Sequence, residues 1–285
     1  MNTQFDKTKE LIKRLKEKNP IYQNILNFYE EILEAQKDAK FDLDVIEIKY
    51  DVKDLQFREG FPLIEKKDFI IDIPSSAGLF ESICRPGKKA TEKMRENIQA
   101  IEEAIAINAL NLKEMLRRHH DEKYLSDIAG EFDIDRPILK FLIHASVQPS
   151  LEANARKLKG HVDLKNWLRG YCPICGSPPQ ISELKGEGQR YYLCSFCGFY
   201  WPGERIKCPF CDNREHDKLH YFYEDGKEAY RVDLCDNCSQ YVKTIDSRKL
   251  DYEPDLILED IVTIHLDILA VEKGFKKPVS SPWGP

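Results

Sequence analysis

The stretch CPICGSPPQISELKGEGQRYYLCSFCGFYWPGERIKCPFCDNREHDKLHYFYEDGKEAYRVDLCDNCSQYVKTID, residues 172–246, decides the architecture. Eight of the chain's nine cysteines fall in the 67 residues from Cys172 to Cys238, as four C-x-x-C pairs. These are Cys172 and Cys175, Cys194 and Cys197, Cys208 and Cys211, and Cys235 and Cys238. Two intervening residues let a tight turn aim both sulfurs at one point, and two such knuckles facing each other supply a tetrahedral four-sulfur shell. Gly176 and Gly198 follow their second cysteines, where a positive φ turns backbone N–H groups toward sulfur. Asp212 tolerates that conformation and Ser239 fits it less well, so the fourth knuckle is the least ideal. Between the pairs lie short alternating strands with turn signals at 185–188 and at Asp225-Gly226. The result is a degenerate repeat of pair, strand, turn, strand, pair.

That order predicts one metal ion held by Cys172, Cys175, Cys194 and Cys197 and a second held by Cys208, Cys211, Cys235 and Cys238. A cross-braced arrangement, first pair with third and second with fourth, is the alternative, but it leaves the repeat unexplained. Four thiolates suit iron or zinc alike. Zinc would be structural; iron would make a rubredoxin-like one-electron centre. Such small modules need their metal to fold.

Outward from this window the chain changes character. Residues 1–165 read as mainly helical. Ile21, Ile25, Phe28 and Ile32 form one apolar stripe, widened by Leu26, Tyr29 and Leu33, after a start at Pro20. A second helix is expected over residues 88–118 on Ile98, Ile101, Ile105 and Leu112. A third begins at an Asp135 cap, and Pro149 is expected to separate it from another helix ending near Lys159. Residues 41–72 are mixed, with 61–64 and 69–71 reading as buried loop or short extended pieces. Beyond Asp246 an acidic stretch leads to a helix over 256–269, and the tail 276–285 reads as irregular. The expected class is α+β: a helical domain (1–165), two tandem rubredoxin-like or zinc-ribbon modules (166–203 and 204–250), and a C-terminal helix with its tail (251–285).

Composition narrows the function. The chain has 285 residues, 42% hydrophobic and 32% charged, enough for a real core. Its 43 basic and 49 acidic residues leave a net charge of −6, which disfavours a nucleic-acid or anionic-membrane binder. Residues 166–250 carry twelve basic and twelve acidic side chains, so eight thiolates around two divalent ions would make that region net negative, unlike a phosphate-gripping ribbon. The opening MNTQFDKTKELIKRLKEK has no apolar run of the kind a signal peptide needs, and no stretch is long and apolar enough to span a bilayer. A cytoplasmic protein without membrane insertion is expected. In that reducing compartment dense cysteine points to metal or redox chemistry, not disulfides.

At CPICGSPP (172–179), at YYLCSFC with Trp201 and the Arg205-Ile206-Lys207-Cys208 run, and at LCDNCSQYVKTID (234–246), the chain resembles the FdhE family of formate dehydrogenase accessory proteins. EDIVTIHLDILAVEKGF (259–275) resembles that family's closing helix, with weaker echoes in NPIYQNILNFYEEILEAQ (19–36) and FPLIEKKDF (61–69). Tyr200 stands where an acidic residue usually precedes the tryptophan, and Ser239 replaces the usual glycine. The resemblance implies a helical N-terminal portion, two four-cysteine sites holding iron or zinc, and a non-enzymatic maturation role. The implied partner is the catalytic subunit of a molybdenum- or tungsten-dependent formate dehydrogenase. An electron-transferring redox protein and a nucleic-acid-binding zinc-ribbon protein are the alternative readings.

The remaining features have plain explanations. Cys84 reads as a small semi-buried residue, not a nucleophile. His119 and His120 fit as side chains at a helix C-terminus. His216 and His220 lie too close to Cys211 to displace Cys235 and Cys238 as ligands. Phe199, Tyr200 and Trp201 read as packing between the modules. The acidic run Asp251, Glu253, Asp255, Glu259 and Asp260 reads as a solvated face. No Ser-His-Asp set, phosphate loop or Walker sequence is present, so no ordinary active site is expected.

Overall fold

A computed structural model describes residues 4–39 and 55–279 and bears out the α+β class. The helices are α1 (Gln4–Lys18), α2 (Gln23–Asp38), α3 (Leu55–Arg58), α4 (Ile73–Ala90), α5 (Glu92–Ala106), α6 (Leu112–Arg117), α7 (Glu122–Glu131), α8 (Arg136–Leu158), α9 (Leu256–Val262) and α10 (Ile264–Glu272). The strands are β1 (Pro179–Lys185), β2 (Gln189–Cys194), β3 (Tyr200–Gly203), β4 (Leu219–Tyr223), β5 (Tyr230–Cys235) and β6 (Gln240–Asp246). The chain divides into two compact units, residues 12–46 with 66–154, and residues 1–11 with 47–65 and 155–285. The mixed stretch read over 41–72 lies outside the described residues as far as 54.

In the helical unit, α4 packs against α2, α5 and α6. Gly87 permits the α4–α5 approach: a Cβ there would meet Ile98 Cδ1 at 2.6 Å. The sequence reading missed α4, whose start is marked by Asp72, which accepts from the Ser75 N–H at 3.0 Å, and by Pro74 in its first turn. The α2 stripe is shifted from expectation. Leu26, Phe28 and Ile32 are buried, whereas Ile21 is 85% exposed in a 3-10 turn, Pro20–Tyr22, that precedes the helix.

The helix expected over 88–118 is three pieces, because capping side chains stop it twice. Thr91 is extended and its hydroxyl accepts from Met94 N–H at 3.1 Å. Asn108 takes a positive φ of 58°, and Asn111 caps α6 by accepting from Glu114 N–H at 3.1 Å. Asp135 does cap α8, accepting from Ile138 N–H at 3.2 Å. Pro149, however, lies inside one helix rather than between two. A proline leaves the carbonyl four residues earlier without its helical donor, and here the Gln36 side-chain amide donates to that Ala145 carbonyl at 2.9 Å. Gln36→Ala should therefore cost about 1–2 kcal/mol, the price of one unmet carbonyl, measured by urea unfolding against the parent.

The other unit is built on one six-stranded sheet in the order β3-β2-β1-β6-β5-β4. Each cysteine-rich half forms three antiparallel strands, and the halves join through a parallel pairing of β1 with β6, Ser182 opposite Thr244 and Leu184 opposite Asp246. The tips fall where expected, with Gly186, Gly188 and Gly226 all at positive φ. α9 packs on β1 and β6, and α10 on β5 and β6, burying Val232, Leu234, Tyr241, Leu266 and Ala270 as one core. The expected single helix over 256–269 is broken at Thr263, whose hydroxyl donates to the Glu259 carbonyl at 2.6 Å. The tail is pinned as far as Lys276, which bridges the fourth knuckle: its N–H donates to the Ser239 carbonyl at 2.9 Å, and its carbonyl accepts from Tyr241 N–H at 3.2 Å. Residues 280–285 lie outside the described set.

The acidic run is corrected as well. Glu259 and Asp260 are buried, not solvated. Lys243 on β6, itself 1% exposed, places Nζ 2.7 Å from Asp260 and 2.5 Å from Asp267; Lys277 adds contacts of 3.1 and 3.3 Å to the same two carboxylates. Gln180 donates to Asp260 and Tyr241 to Asp267, each at 3.0 Å. Asp251 and Glu253 are exposed as read, and Asp255 caps α9.

Candidate metal centres

The two hairpin modules each close a loop of chain on four sulfurs. Cys172, Cys175, Cys194 and Cys197 form one cluster and Cys208, Cys211, Cys235 and Cys238 another, with all sulfurs in a cluster within 4.8 Å of one another. The grouping is sequential, not cross-braced. In the first, Cys175 Sγ lies 3.4 Å from Cys194 and 3.7 Å from Cys197, and Cys172 lies 3.7 Å from Cys197. In the second, the Cys208–Cys238 and Cys211–Cys235 separations are both 3.7 Å. A tetrahedron with metal–sulfur bonds of about 2.3 Å has sulfur–sulfur edges of about 3.8 Å, and a disulfide is far shorter, about 2.05 Å. The donor set and its spacing therefore fit a four-coordinate ion in each cluster, which each could hold.

Local backbone chemistry explains why these sequences fold into knuckles. The residue after each second cysteine is left-handed: Gly176 at φ 72°, Gly198 at 66°, Asp212 at 59° and Ser239 at 54°. The turn is closed the same way each time. Cys172 N–H donates to the Ser177 carbonyl, Cys194 N–H to Phe199 and Cys208 N–H to Asn213, at 2.8–2.9 Å, while Cys235 pairs with Gln240 across β5 and β6. The N–H groups of Phe196 and Cys197 point at Cys194 Sγ from 3.3 and 3.4 Å. Ser239 pays the steric cost of that conformation, which costs an L residue about 1–2 kcal/mol, partly offset by glycine's larger unfolded-state entropy. Ser239→Gly should thus raise stability by about 0.5–1 kcal/mol in thermal unfolding.

The clusters differ in shelter. All four cysteines of the first are buried, because residues 57–64 brace that knuckle. Leu63 and Ile64 N–H groups donate to the Pro173 and Ile174 carbonyls at 2.9 and 3.0 Å, the Tyr171 hydroxyl donates to the Gly60 carbonyl at 2.7 Å, and Phe57 stacks on Trp167 at 4.8 Å. In the second cluster Cys211 and Cys238 are partly exposed, and the Asn237 amide donates to Cys211 Sγ at 3.4 Å. Burial pushes the Cys172 and Cys197 thiols up, while hydrogen bonds from the neighbouring cysteines and Ser177 overcome burial at Cys175 and pull it down. At Cys211 burial is likewise outweighed, chiefly by Asn237, and its pKa falls to about 7. Burial raises Cys238 to about 11.

The other singled-out residues take no part in the clusters. Cys84 is buried in α4, where burial holds its thiol up at about 12 and inert. His216 lies in a 3-10 turn and His220 Nε2 sits 2.9 Å from Asp236. His119 is buried with Nδ1 3.0 Å from the Leu116 carbonyl, and burial lowers its pKa to about 4, so it caps α6 as a neutral donor and not as the cation a helix terminus would favour. Trp201 and Phe199 are buried, with the Trp201 indole donating to the Arg169 carbonyl at 3.3 Å.

Among known proteins, the family model "FdhE, central domain" matches residues 171–205 and "FdhE, C-terminal domain" matches residues 206–283. The Protein FdhE homolog of Aquifex aeolicus (strain VF5) is 31% identical over 270 residues, spanning 92% of this chain and 89% of its own. Protein FdhE of Escherichia coli (strain K12) is 31% identical over 119 residues, 40% of this chain and 38% of its own. The crystal structure of the FdhE protein from Pseudomonas aeruginosa shares the fold, with a TM-score of 0.64 at 22% identity over 96% of this chain and 92% of that one.

Proposed function

This chain belongs to the FdhE family, and from that premise we propose that it is a cytoplasmic accessory protein that binds the catalytic subunit of a molybdenum- or tungsten-dependent formate dehydrogenase during its maturation. The observation that carries the reading is the pair of four-sulfur clusters on one sheet, within a chain that aligns with an FdhE homolog over 92% of its length. Cys172, Cys175, Cys194 and Cys197 would hold one iron or zinc ion, and Cys208, Cys211, Cys235 and Cys238 the other. Bound metal would supply folding energy, on the order of 10–16 kcal/mol for a structural zinc site, and the protein itself would catalyse no reaction. Among the described residues no helix is long and apolar enough to cross a membrane.

The test is capture from the protein's own cells. A tagged chain should enrich a formate dehydrogenase subunit over an untagged control; no enrichment of any such subunit overturns the reading. A second expectation follows from the unequal shelter of the clusters. A chelator should strip the 208–238 centre first, so that Cys211 and Cys238 become alkylated before any cysteine of the first cluster in a timed mass-spectrometric assay.

A further inference from the structure

Strand alternation divides the sheet chemically. Lys243 reaches α9 and Val232 packs on α10, so Thr244, Arg231 and Asp233 face the other way. On that side lies a cleft of about 310 Å³ beside the second cluster, lined by Arg190, Arg205, Tyr221, Arg231 and Asp233. One carboxylate serves two guanidinium groups there: Asp233 Oδ2 lies 2.7 Å from Arg190 Nη2, and Oδ1 lies 3.1 Å from Arg231 Nε. Lys207 at the rim is already neutralised by Glu204 at 3.4 Å and Asp212 at 2.6 Å. Arg205 is exposed and meets no carboxylate among the described residues. Three guanidiniums thus face one acid.

A second observation points to a ligand. Arg190 is only 4% exposed, yet its Nε has no hydrogen-bond partner among the described residues. The single carboxylate of Asp233 therefore leaves the guanidinium on the cleft wall under-satisfied. The cleft runs to β4, an edge strand whose Tyr221 and Tyr223 are exposed, their rings 6.2 Å apart, with the Arg231 guanidinium 4.9 Å from the Tyr221 ring. The opposite edge, β3, contains Pro202, which has no N–H to offer a new strand. An open edge beside a basic cleft suits an extended peptide better than an isolated anion.

We propose that this cleft binds an acidic, extended segment of a partner protein, its carboxylates meeting Arg205 and Arg231 while its backbone adds a strand to β4. The assignment rests on the client-binding reading above and names the surface that would do the binding. Cys208 and Cys235 border the cleft, so these arginines also shield an incoming carboxylate from the negative charge of a filled second centre.

The test uses the full metal-loaded chain and two fluorescein-labelled heptapeptides, one alternating Glu and Tyr, the other Gln and Tyr, read by fluorescence anisotropy. The Glu peptide should bind, weaken with added salt, and exceed the Gln peptide by at least about tenfold. Arg205→Glu should weaken it by about tenfold, the loss of one charge-assisted contact, with metal content and thermal unfolding as in the parent. Arg231→Gln should act in the same direction. Equal binding of both peptides, no binding, or no effect of Arg205→Glu overturns the proposal. So does displacement of the peptide by a single-stranded RNA of equal length, which would assign the cleft to phosphate. If Arg205→Glu captures a formate dehydrogenase subunit as well as the parent does, the cleft is wrong and the client reading stands; if neither captures one, the client reading itself falls.

Discussion

Cys175→Ser should lower bound metal from two equivalents to one and abolish the cooperative unfolding transition of the sheet. Cys175 makes the closest sulfur contact of its cluster, 3.4 Å to Cys194, and a second at 3.7 Å to Cys197, inside a knuckle that is buried throughout. Serine cannot supply a soft thiolate to the shell. The energy at stake, on the order of 10–16 kcal/mol for a structural zinc site, matches or exceeds the whole stability of a typical domain, about 5–15 kcal/mol. The consequence would spread, because β1 leaves this knuckle to pair with both β2 and β6 and to support α9. Cys84→Ser is the matched control: it should keep both metals, since Cys84 sits in α4 of the helical unit. Metal analysis and calorimetry of the two variants decide the matter; a Cys175→Ser protein with two metals and the parent transition contradicts it.

Lys243→Met should destabilise the fold by about 3–5 kcal/mol, the cost of removing one partner from a buried charge cluster. Two carboxylates, each 1% exposed, would share the single cation Lys277, with neutral donors from Gln180 and Tyr241 only, and the Asp260 carbonyl would lose the Lys243 donor at 2.7 Å. The same cluster sets a pH window. Burial would raise Asp260, but Lys243 and Lys277 drive its carboxyl well below the ordinary range; its contribution is full above about pH 4 and is lost as pH falls toward that depressed value. Burial would lower Lys277, but Asp260 and Asp267 raise it above the ordinary 10.5, so its contribution is full below that pH and is lost as pH rises through the folded value. Denaturant midpoints measured across pH should therefore fall at both ends in the parent. A Lys243→Met variant as stable as the parent at neutral pH would contradict this account of the cluster.

What the sequence revealed and what it hid follow one physical division. The four knuckles are legible because ligand geometry is local: two residues between cysteines and a left-handed residue after them are enough, and the poor fit of Ser239 to its φ of 54° follows from residue type alone. The hairpin tips were legible for the same reason. The parallel joining of β1 to β6 was not, because residues 62 positions apart, such as Ser182 and Thr244, carry no local sign that they pair. Nor could Asp260 be told from a solvated acid, since its lysine lies on another element. The continuous passage of α8 through Pro149 depends on a glutamine from α2, more than a hundred residues away. The break at Thr91 shows apolar periodicity yielding to a capping hydroxyl, a signal present in the sequence but outweighed by the isoleucine spacing; at Thr263 the hydroxyl instead turns back on the Glu259 carbonyl.

The most direct measurement of the central claim, two sequentially paired four-sulfur metal centres, is X-ray absorption on the purified native chain with metal stoichiometry determined on the same sample. The account predicts two equivalents of iron or zinc per chain, each surrounded by four sulfurs at about 2.3 Å. Fewer than two equivalents, or nitrogen or oxygen in either first coordination shell, would contradict it.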